Sequence, residues 1–287
     1  MSLKVGFVGL GDIGRPMALQ LPRAGLETAV FDIAPGPVEE LAAAGAKAAA
    51  SPREVAAASD VVGVCVRTAA QVRSVVTGED GLLAGARPGL VILVHSTVVP
   101  ATVEELAGIA AKQDVGVLDA CVSGNANAPD PQFKLFLAGD DAQREKIHPY
   151  ATAIAADRLV PTGPLGSSCK AKICLNLVTY LQWLAAFESA KLARAIGLPQ
   201  EVFEDVGRSN GQLTELMIAY LALHKIPEEA RKGEALQNRL RGNMHVAEKD
   251  LACALELARD ARVSLPGAAL VSQLMAKIYA VEDPAAQ

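Results

Sequence analysis

A lysine at the edge of an uncharged run is the residue in this sequence best suited to proton transfer. It is Lys172 of the stretch GSSCKAKICLNLV, and the run from Ile173 to Phe187 that follows it predicts a helix. Positions four apart share a face of a helix, so Asn176 projects on the same side, and Thr179 and Trp183 continue that face. An ammonium entering a core needs a partner or a function, whereas a lysine can also keep its head in water. The helix alone leaves both interpretations open.

A glycine-rich turn near the start of the chain predicts a phosphate-binding loop. In VGFVGLGDIGRPMA, three glycines have the G-x-G-x-x-G spacing between an apolar strand and a helix. The first permits a tight turn, the second lets backbone approach a pyrophosphate, and the third lets helix pack on strand. An ordinary strand-to-helix turn is the alternative, and Asp12 could cap the helix rather than face a ligand. The expected cofactor contacts are Gly9, Leu10, Gly11, Asp12, Ile13 and Gly14.

An acidic residue beyond this loop indicates which dinucleotide it holds. Asp32 ends the apolar stretch ETAVFD, where a carboxylate accepts hydrogen bonds from an adenosine ribose. The same carboxylate repels a 2′-phosphate, and the following IAPG supplies no arginine to receive one. We therefore expect NAD as the cofactor, with NADP as the less favoured alternative.

The elements that must position these residues alternate between strand and helix in the first half of the chain. The apolar runs KVGFVG, ETAVFD, DVVGVCV, LVILVHS and VGVLDACV are continuous, which is typical of parallel strands buried on both faces. QFKLFLAGD and DRLVPTG add strands at the far edge, and SPRE at 51–54 predicts a capped helix start. This order predicts βαβ units and a parallel sheet.

Helical patterns replace the strand signal after Gly163. We expect a long helix from Ser167 to about Arg194, whose leucine, valine and tryptophan stripe would be core. Further helices are predicted over 200–208, 212–223, 243–261 and 266–280. The change places one domain at 1–163 and an all-α domain at 164–287, with the long helix as the bridge.

Composition limits the partners that the chain can have. Half of its 287 residues are hydrophobic, its net charge is −5, and no lysine- or arginine-rich run occurs, so no nucleic-acid partner is expected. The N-terminus lacks a secretory pattern, and the uncharged run is shorter than the roughly 20 residues that span a bilayer. Five cysteines without zinc-ligand spacing suit reduced thiols. We expect a cytoplasmic protein with no metal and no membrane partner.

Five stretches occur here in the order found in one family: FVGLGDIGRPMALQL, HSTVVP, DACVSG, GPLGSSCKAKICLNL and EKDLACALELA. Over nearly its whole length the chain resembles the β-hydroxyacid dehydrogenase family, of the 3-hydroxyisobutyrate dehydrogenase and tartronate semialdehyde reductase type. The resemblance implies an α/β fold, with a Rossmann-type doubly wound parallel sheet followed by an all-α C-terminal domain. It also implies a homodimer or homotetramer that transfers a hydride between NAD and a small β-hydroxy acid or its semialdehyde.

The family's lysine motif assigns the proton transfer. It matches Gly163, Gly166, Lys172 and Asn176, so the resemblance makes Lys172 the general acid or base, and Asn176 would orient it or a substrate hydroxyl. In reduction the ammonium would donate a proton to the carbonyl oxygen, and in oxidation the neutral amine would remove one from the alcohol. Lys170 has the wrong spacing to the asparagine and is expected to be a surface charge.

Other motifs of the resemblance imply binding roles. Ser123 and Gly124 match the pair that holds the carboxylate of a small-molecule substrate. Thr97 matches the cofactor-facing hydroxyl of the ST pair, with Ser96 beside it, and Lys249 matches the lysine of the K-D motif that reaches the cofactor.

Two loops depart from the family pattern. After Gly124 the chain reads NANAPDPQFKL where the family keeps glycines, so Asn125 could reach a substrate oxygen or stabilise a turn. At the end of the DVVGVCV stretch, Val66 and Arg67 replace the family's Leu-Pro and are expected beside the cofactor. Arg67 could also receive a second anionic group of the substrate, or be an ordinary exposed residue.

Several alternatives remain at this point. His95 could line the cofactor cleft, although a hydrogen-bonded residue at a strand end is the favoured interpretation. The same scaffold could reduce another carbonyl or an imine, or decarboxylate a sugar-phosphate acid as in the wider 6-phosphogluconate dehydrogenase superfamily. It could also be a non-catalytic dinucleotide sensor, but a sensor has no need of Lys172, Asn176 and Ser123 together.

Overall fold

A mostly parallel sheet with helices on both faces forms the first part of the chain. The computed structural model describes residues 3–124 and 133–282, and within them the sheet has nine strands. The strands are β1 (Lys4–Val8), β2 (Glu27–Phe31), β3 (Lys47–Ala48), β4 (Val61–Val64), β5 (Val91–Val94), β6 (Gly116–Asp119), β7 (Val122–Ser123), β8 (Lys134–Ala138) and β9 (Leu159–Gly163).

The strand order identifies the sheet as doubly wound. It is β3-β2-β1-β4-β5-β6-β8-β7, with β9 paired to β8. Strands β1 to β6 are parallel, whereas β8 is antiparallel to both β6 and β7. Between β1 and β4 the winding of the chain reverses, and open α/β sheets bind their ligands at such a switch point. The predicted α/β class is confirmed.

Continuous apolar strands supply a core on each face of the sheet. Along β5, Val91 and Leu93 lie in one core while Ile92 and Val94 lie in the other. Successive side chains of a strand point to opposite faces, so a strand covered on both sides has to be apolar throughout. Burial of one such side chain contributes roughly 1.5–3 kcal/mol.

Eight helices cover the two faces in the described part of this unit. They are α1 (Gly14–Arg23), α2 (Pro35–Ala43), α3 (Pro52–Ala57), α4 (Ala69–Thr77), α5 (Leu82–Gly85), α6 (Pro100–Ala110), α7 (Asp141–Lys146) and α8 (His148–Ala155). Helices α1, α2 and α8 contribute to one core, and α3 to α6 to the other. The predicted cap of α3 is confirmed, since Ser51 Oγ accepts the Glu54 N–H.

All the regular secondary structure that is described in the second part of the chain is helical. Its helices are α9 (Ser167–Ala195), α10 (Gln200–Ser209), α11 (Glu215–Leu221), α12 (Glu228–Arg231), α13 (Glu234–Asp260), α14 (Pro266–Ser272) and α15 (Met275–Ile278). The compact units are Met1–Lys172 and Ile173–Gln287, so α9 starts in the first unit and continues into the second. The predicted boundary at residue 163 is the end of β9.

Two predicted helices have other bounds in the structure. Helix α13 begins at Glu234 rather than at 243, because Gly242 faces open space and is tolerated inside the helix. Its first turns bury Gln237 and Leu240, and this burial overrides the propensity cost of about 1 kcal/mol for one glycine. The single helix predicted over 266–280 is interrupted after Ser272 and becomes α14 and α15.

The apolar stripe of α9 is only partly core. Its buried side faces the helical core with Tyr180, Ala186 and Ala190. Leu175 and Val178 are 49% and 51% exposed, so the expectation that the leucine and valine residues of this helix are all core is wrong. Periodicity shows that a helix has an apolar face but not that the chain itself covers that face.

Neither a membrane span nor a metal cluster occurs in the described part of the chain. Among residues 3–124 and 133–282, no helix combines the length and the apolar character needed to cross a bilayer. In the same ranges, no three His, Cys, Asp or Glu side chains come together as ligands for an ion.

Candidate active site

Each of the three motif glycines in the loop between β1 and α1 is required for a different structural reason. Gly9 has φ +94°, and a Cβ there would overlap the carbonyl oxygen of Cys65. A Cβ on Gly14 would overlap the carbonyl oxygen of Gly9, so this glycine lets α1 approach β1 closely. Gly11 has no atom within 4 Å of the place where its Cβ would be, which leaves space for a ligand at this glycine. The loop therefore fits a dinucleotide pyrophosphate.

The start of α1 offers donors to an anion. The first amides of a helix have no intrahelical acceptor, and at the N-cap residue Ile13 no side chain accepts from them. Asp12 is exposed and does not cap the helix, so the alternative role for its carboxylate is wrong. The helix N-terminus is therefore available to a phosphate, as the glycine spacing predicts.

Asp32 contacts the glycine loop directly. Its Oδ2 accepts the Leu10 N–H at 2.5 Å, and its Oδ1 accepts the Ala34 N–H at 2.8 Å. Each carboxylate oxygen can accept a second hydrogen bond, so a ribose hydroxyl could still be bound. Arg15, on the adjoining helix α1, is paired with Glu40 at 3.1 Å.

Ser96 holds the turn after β4 in place. Its Oγ accepts the Val66 N–H at 2.9 Å and donates to the Val66 carbonyl oxygen at 2.8 Å. Ser96 is buried, whereas its neighbour Thr97 is half-buried at the end of β5. Arg67 follows Val66 and is exposed, and its guanidinium has no hydrogen-bond or ion-pair partner among the residues that the structure describes.

His95 is a hydrogen-bonded core residue. Its Nδ1 lies 2.6 Å from the Ala120 carbonyl oxygen and its Nε2 lies 2.8 Å from Tyr150 Oη. Because a carbonyl only accepts, Nδ1 carries the proton and Nε2 accepts the Tyr150 O–H. Burial lowers the pKa of His95 to about 4. The favoured interpretation is confirmed, and His95 is no candidate for the proton transfer.

The predicted substrate-binding residues lie next to or within residues 125–132, which the structure does not describe, and the predicted catalytic lysine lies on α9. Ser123 is half-buried on β7, where it pairs with Lys134 of β8, and Gly124 is exposed at the strand end. Asn125 lies outside the described residues. Lys172 is half-buried in the second turn of α9, whereas Lys170 is exposed, as expected of a surface charge.

A buried carboxylate organises the polar residues of the second unit. Asp250 Oδ2 accepts the Asn176 Nδ2–H at 2.6 Å and the Tyr180 O–H at 2.9 Å. Lys249 Nζ lies 2.7 Å from Asp250 Oδ1, an ion-pair contact without the direction of a hydrogen bond. Burial and the Asp250 charge raise the pKa of Tyr180, which keeps the phenol a donor. Since a carboxylate only accepts, the Asn176 amide nitrogen must face it, and its Oδ1 remains an acceptor.

Three residues of this geometry were not predicted. Ser96 and Asp250 adjoin residues that were, and the K-D pair in EKDLACALELA was the available signal for Asp250. Asp119, which ends β6, accepts hydrogen bonds from the start of α9, and the DACVSG stretch that it opens was the available signal for it. Among the predicted residues, the structure brings Leu10 to Asp32 and links Asn176 to Lys249 through the carboxylate of Asp250.

Known proteins resemble the chain over nearly all of its length. Residues 4–170 match the NAD binding domain of 6-phosphogluconate dehydrogenase. The chain is 30% identical to 2-(hydroxymethyl)glutarate dehydrogenase of Eubacterium barkeri, over 95% of this chain and 88% of that protein. It is also 30% identical to NAD-dependent L-serine dehydrogenase of Pseudomonas aeruginosa, over 94% and 90%. The structure is similar to that of 3-hydroxyisobutyrate dehydrogenase from Salmonella typhimurium, with a TM-score of 0.81, 28% identity and coverage of 96% and 94%.

Proposed function

Because the chain belongs to the β-hydroxyacid dehydrogenase family, and is therefore an oxidoreductase with a NAD-binding domain, we propose that it oxidises a small β-hydroxy acid or reduces the corresponding semialdehyde. The observation that carries the proposal is the lysine-asparagine pair of α9, in which the Asn176 amide is held by Asp250. The substrates in the names of two relatives, 2-(hydroxymethyl)glutarate and L-serine, both have a hydroxymethyl group on the carbon next to a carboxylate. This shared chemistry supports the substrate class.

Each residue has one task in the proposed reaction. The nicotinamide of the bound dinucleotide supplies or accepts the hydride. Lys172 donates a proton to the carbonyl oxygen during reduction and removes it from the alcohol during oxidation. Asn176 Oδ1 accepts a hydrogen bond from the lysine ammonium or from the substrate hydroxyl. Ser123 and the backbone of Gly124 donate hydrogen bonds to the substrate carboxylate.

The remaining cofactor residues surround the glycine loop in the proposal. The backbone amides at the start of α1 bind the pyrophosphate, and Asp32 accepts from the adenosine ribose. Val66, Arg67 and Thr97 follow β4 and β5, the next strands after β1 in the sheet. Lys249, the lysine of the K-D motif, is also assigned to the cofactor. These roles stay predictions of the family motifs.

The proton-transfer role is tested by a pair of lysine variants. Lys172→Ala should lower kcat by roughly 10²–10⁴-fold, the usual contribution of a general acid or base. Its Kd for NADH, measured by fluorescence titration, should stay within about twofold, since the glycine loop is unchanged. Lys170→Ala, two residues away and exposed, is the matched control and should behave like the wild type.

The substrate class is tested with a panel of hydroxy acids and semialdehydes, assayed by absorbance with NAD and with NADP. Turnover of β-hydroxy acids that carry a free carboxylate is expected. Full activity of Lys172→Ala would contradict the mechanism. Binding of the dinucleotide without turnover of any substrate would favour the sensor function instead.

The preference for NAD is proposed from the charge of Asp32. Its carboxylate repels a 2′-phosphate, and Arg15 is already paired with Glu40. Asp32→Asn should therefore raise kcat/KM with NADP relative to NAD by roughly tenfold, the effect of one charge a few ångströms away across water. A wild-type protein that turns over with NADP alone would contradict this proposal.

We also propose that the chain assembles as a homodimer or homotetramer through the exposed face of α9. Leu192 of this helix and Ile196, the residue after its end, are 63% and 70% exposed, in line with Leu175 and Val178 at helical spacing. A Leu192→Glu and Ile196→Glu double variant should reduce the mass measured by light scattering after size exclusion. Val263→Glu changes a residue of similar exposure outside α9 and serves as the control.

A further inference from the structure

The first turn of α9 is capped by a carboxylate from another part of the chain. Asp119, at the end of β6, is fully buried. Its Oδ1 accepts the Gly166 N–H and its Oδ2 accepts the Cys169 N–H, both at 2.9 Å. A residue just before the helix usually supplies such a cap, whereas this one comes from 47 and 50 residues earlier. The cap therefore also fixes the helix to the sheet.

Ser168 makes a second link between the same turn and the sheet. Its Oγ accepts the Cys121 N–H at 2.8 Å and donates to the Phe136 carbonyl oxygen at 2.9 Å. The hydroxyl is buried, so each of these bonds replaces one to water that the backbone has lost. Cys121 lies two residues before Ser123, so the link reaches the segment that leads to the proposed carboxylate-binding pair.

The linked turn lies directly below Lys172 on the helix. Cys169 and Ser168 are three and four residues before the lysine, which are the spacings that share one face of an α-helix. Lys172 therefore rises from the face of α9 that carries Ser168, one turn beyond the amides that Asp119 caps. A displacement of about 1 Å between a catalytic group and its substrate can cost about 10²-fold in rate, so the rigidity of this turn matters to the reaction.

We propose that Asp119 and Ser168 are positioning residues that set the place of Lys172 relative to the Ser123–Gly124 turn. The inference rests on the proposed function of Lys172 and adds to it the residues that aim the amine. Neither residue touches substrate or cofactor in this arrangement. Their effect on the reaction is exerted through the backbone of α9.

Asp119→Asn and Ser168→Ala test the inference in the full-length protein. The asparagine keeps the shape of the side chain but has one acceptor for two amides, and the alanine removes both bonds of Ser168. In each variant we expect kcat per NADH-binding site to fall about 10–100-fold, a displacement effect. We expect Kd for NADH to change less than about threefold, because the glycine loop is intact. A residue with only a structural role would lower the number of binding sites and the Tm, but not kcat per site.

Asp140→Asn is the matched control. Asp140 caps α7 by accepting the Ala142 and Gln143 N–H groups, and none of the proposed site residues lies on that helix. It should lose stability while its kcat stays at the wild-type value.

Lys172→Ala, measured in parallel, separates the two proposals. Wild-type kcat in both folded variants, with Lys172→Ala inactive, would overturn the positioning role alone. Full turnover by Lys172→Ala would overturn the proposed mechanism itself. Loss of kcat in Ser168→Ala with NADH binding intact would support the positioning role even if Asp119→Asn failed to fold.

Discussion

Acid should destabilise the first unit through His95. The ring is fully buried between the Ala120 carbonyl and Tyr150, and burial lowers its pKa from 6.5 to about 4. Between these two values the unfolded chain binds a proton that the folded chain does not. The free energy of unfolding therefore falls as the pH drops below 6.5, and the loss is complete below about pH 4.

The magnitude follows from the two pKa values. A tenfold change in proton affinity is worth about 1.4 kcal/mol, so the full loss is about 3 kcal/mol, of which about 2 kcal/mol develops between pH 7 and pH 5. This is a sizeable part of the 5–15 kcal/mol that is typical of folded proteins.

The assay compares the wild type with His95→Gln in urea titrations at pH 7 and pH 5. Glutamine offers a donor and an acceptor to the same partners but does not titrate. Unfolding of the first unit should be followed by amide hydrogen exchange in β5. Tryptophan fluorescence would report the second unit instead, because the single tryptophan, Trp183, lies there. We expect the variant to lose about 2 kcal/mol less than the wild type over this range.

Two other histidines bear on the interpretation of this assay. His245→Gln changes an exposed ring and serves as the control for loss of a surface histidine. Burial also lowers the pKa of His224, but this residue is in the second unit and is common to all three proteins. The reasoning would be refuted if His95→Gln and the wild type lost the same stability between pH 7 and pH 5.

Three further predictions concern the loop, the sheet and the second unit. Gly11→Ala should fold with an unchanged Tm yet weaken NADH binding at least tenfold in a fluorescence titration. Gly14→Ala should lower the Tm, because of these two glycines Gly14 is the one whose Cβ would overlap backbone. In Gly63→Ala the new methyl group would overlap Tyr150 Oη, so the free energy of unfolding, measured by urea titration, should fall by about 1–3 kcal/mol. An unchanged free energy of unfolding would contradict this close packing. Asp250→Asn should lower the free energy of unfolding by about 2 kcal/mol in the same titration, because Lys249 loses its ion pair and Asn176 loses a charge-assisted hydrogen bond. A variant with the stability and kcat of the wild type would show that the carboxylate is dispensable.

Features encoded by local spacing were predictable from the sequence. The glycine loop depends on three residues within six positions, and the shared face of Lys172 and Asn176 on the repeat of one helix, so both arrangements can be recognised before any tertiary contact is known. The role of the lysine came from the family resemblance and stays a prediction. The continuous apolar strands likewise predicted a sheet buried on both faces, and the structure confirms it.

Contacts between distant residues were not predictable in this way. Asp119 caps a helix about 50 residues further on, and Asp250 meets Asn176 across 74. Nothing near either aspartate in the chain marks its partner, because the fold alone brings the two segments together. The exposure of Leu175 and Val178 was missed for a related reason, since an apolar pattern is the same whether its cover comes from this chain or from another.

The Ser96 hydroxyl should tolerate no replacement. Its hydrogen and one of its lone pairs both form hydrogen bonds with the Val66 backbone, so replacing this residue would release the neighbouring turn. An engineer who wishes to vary the proposed cofactor site of this scaffold should therefore leave Ser96 untouched.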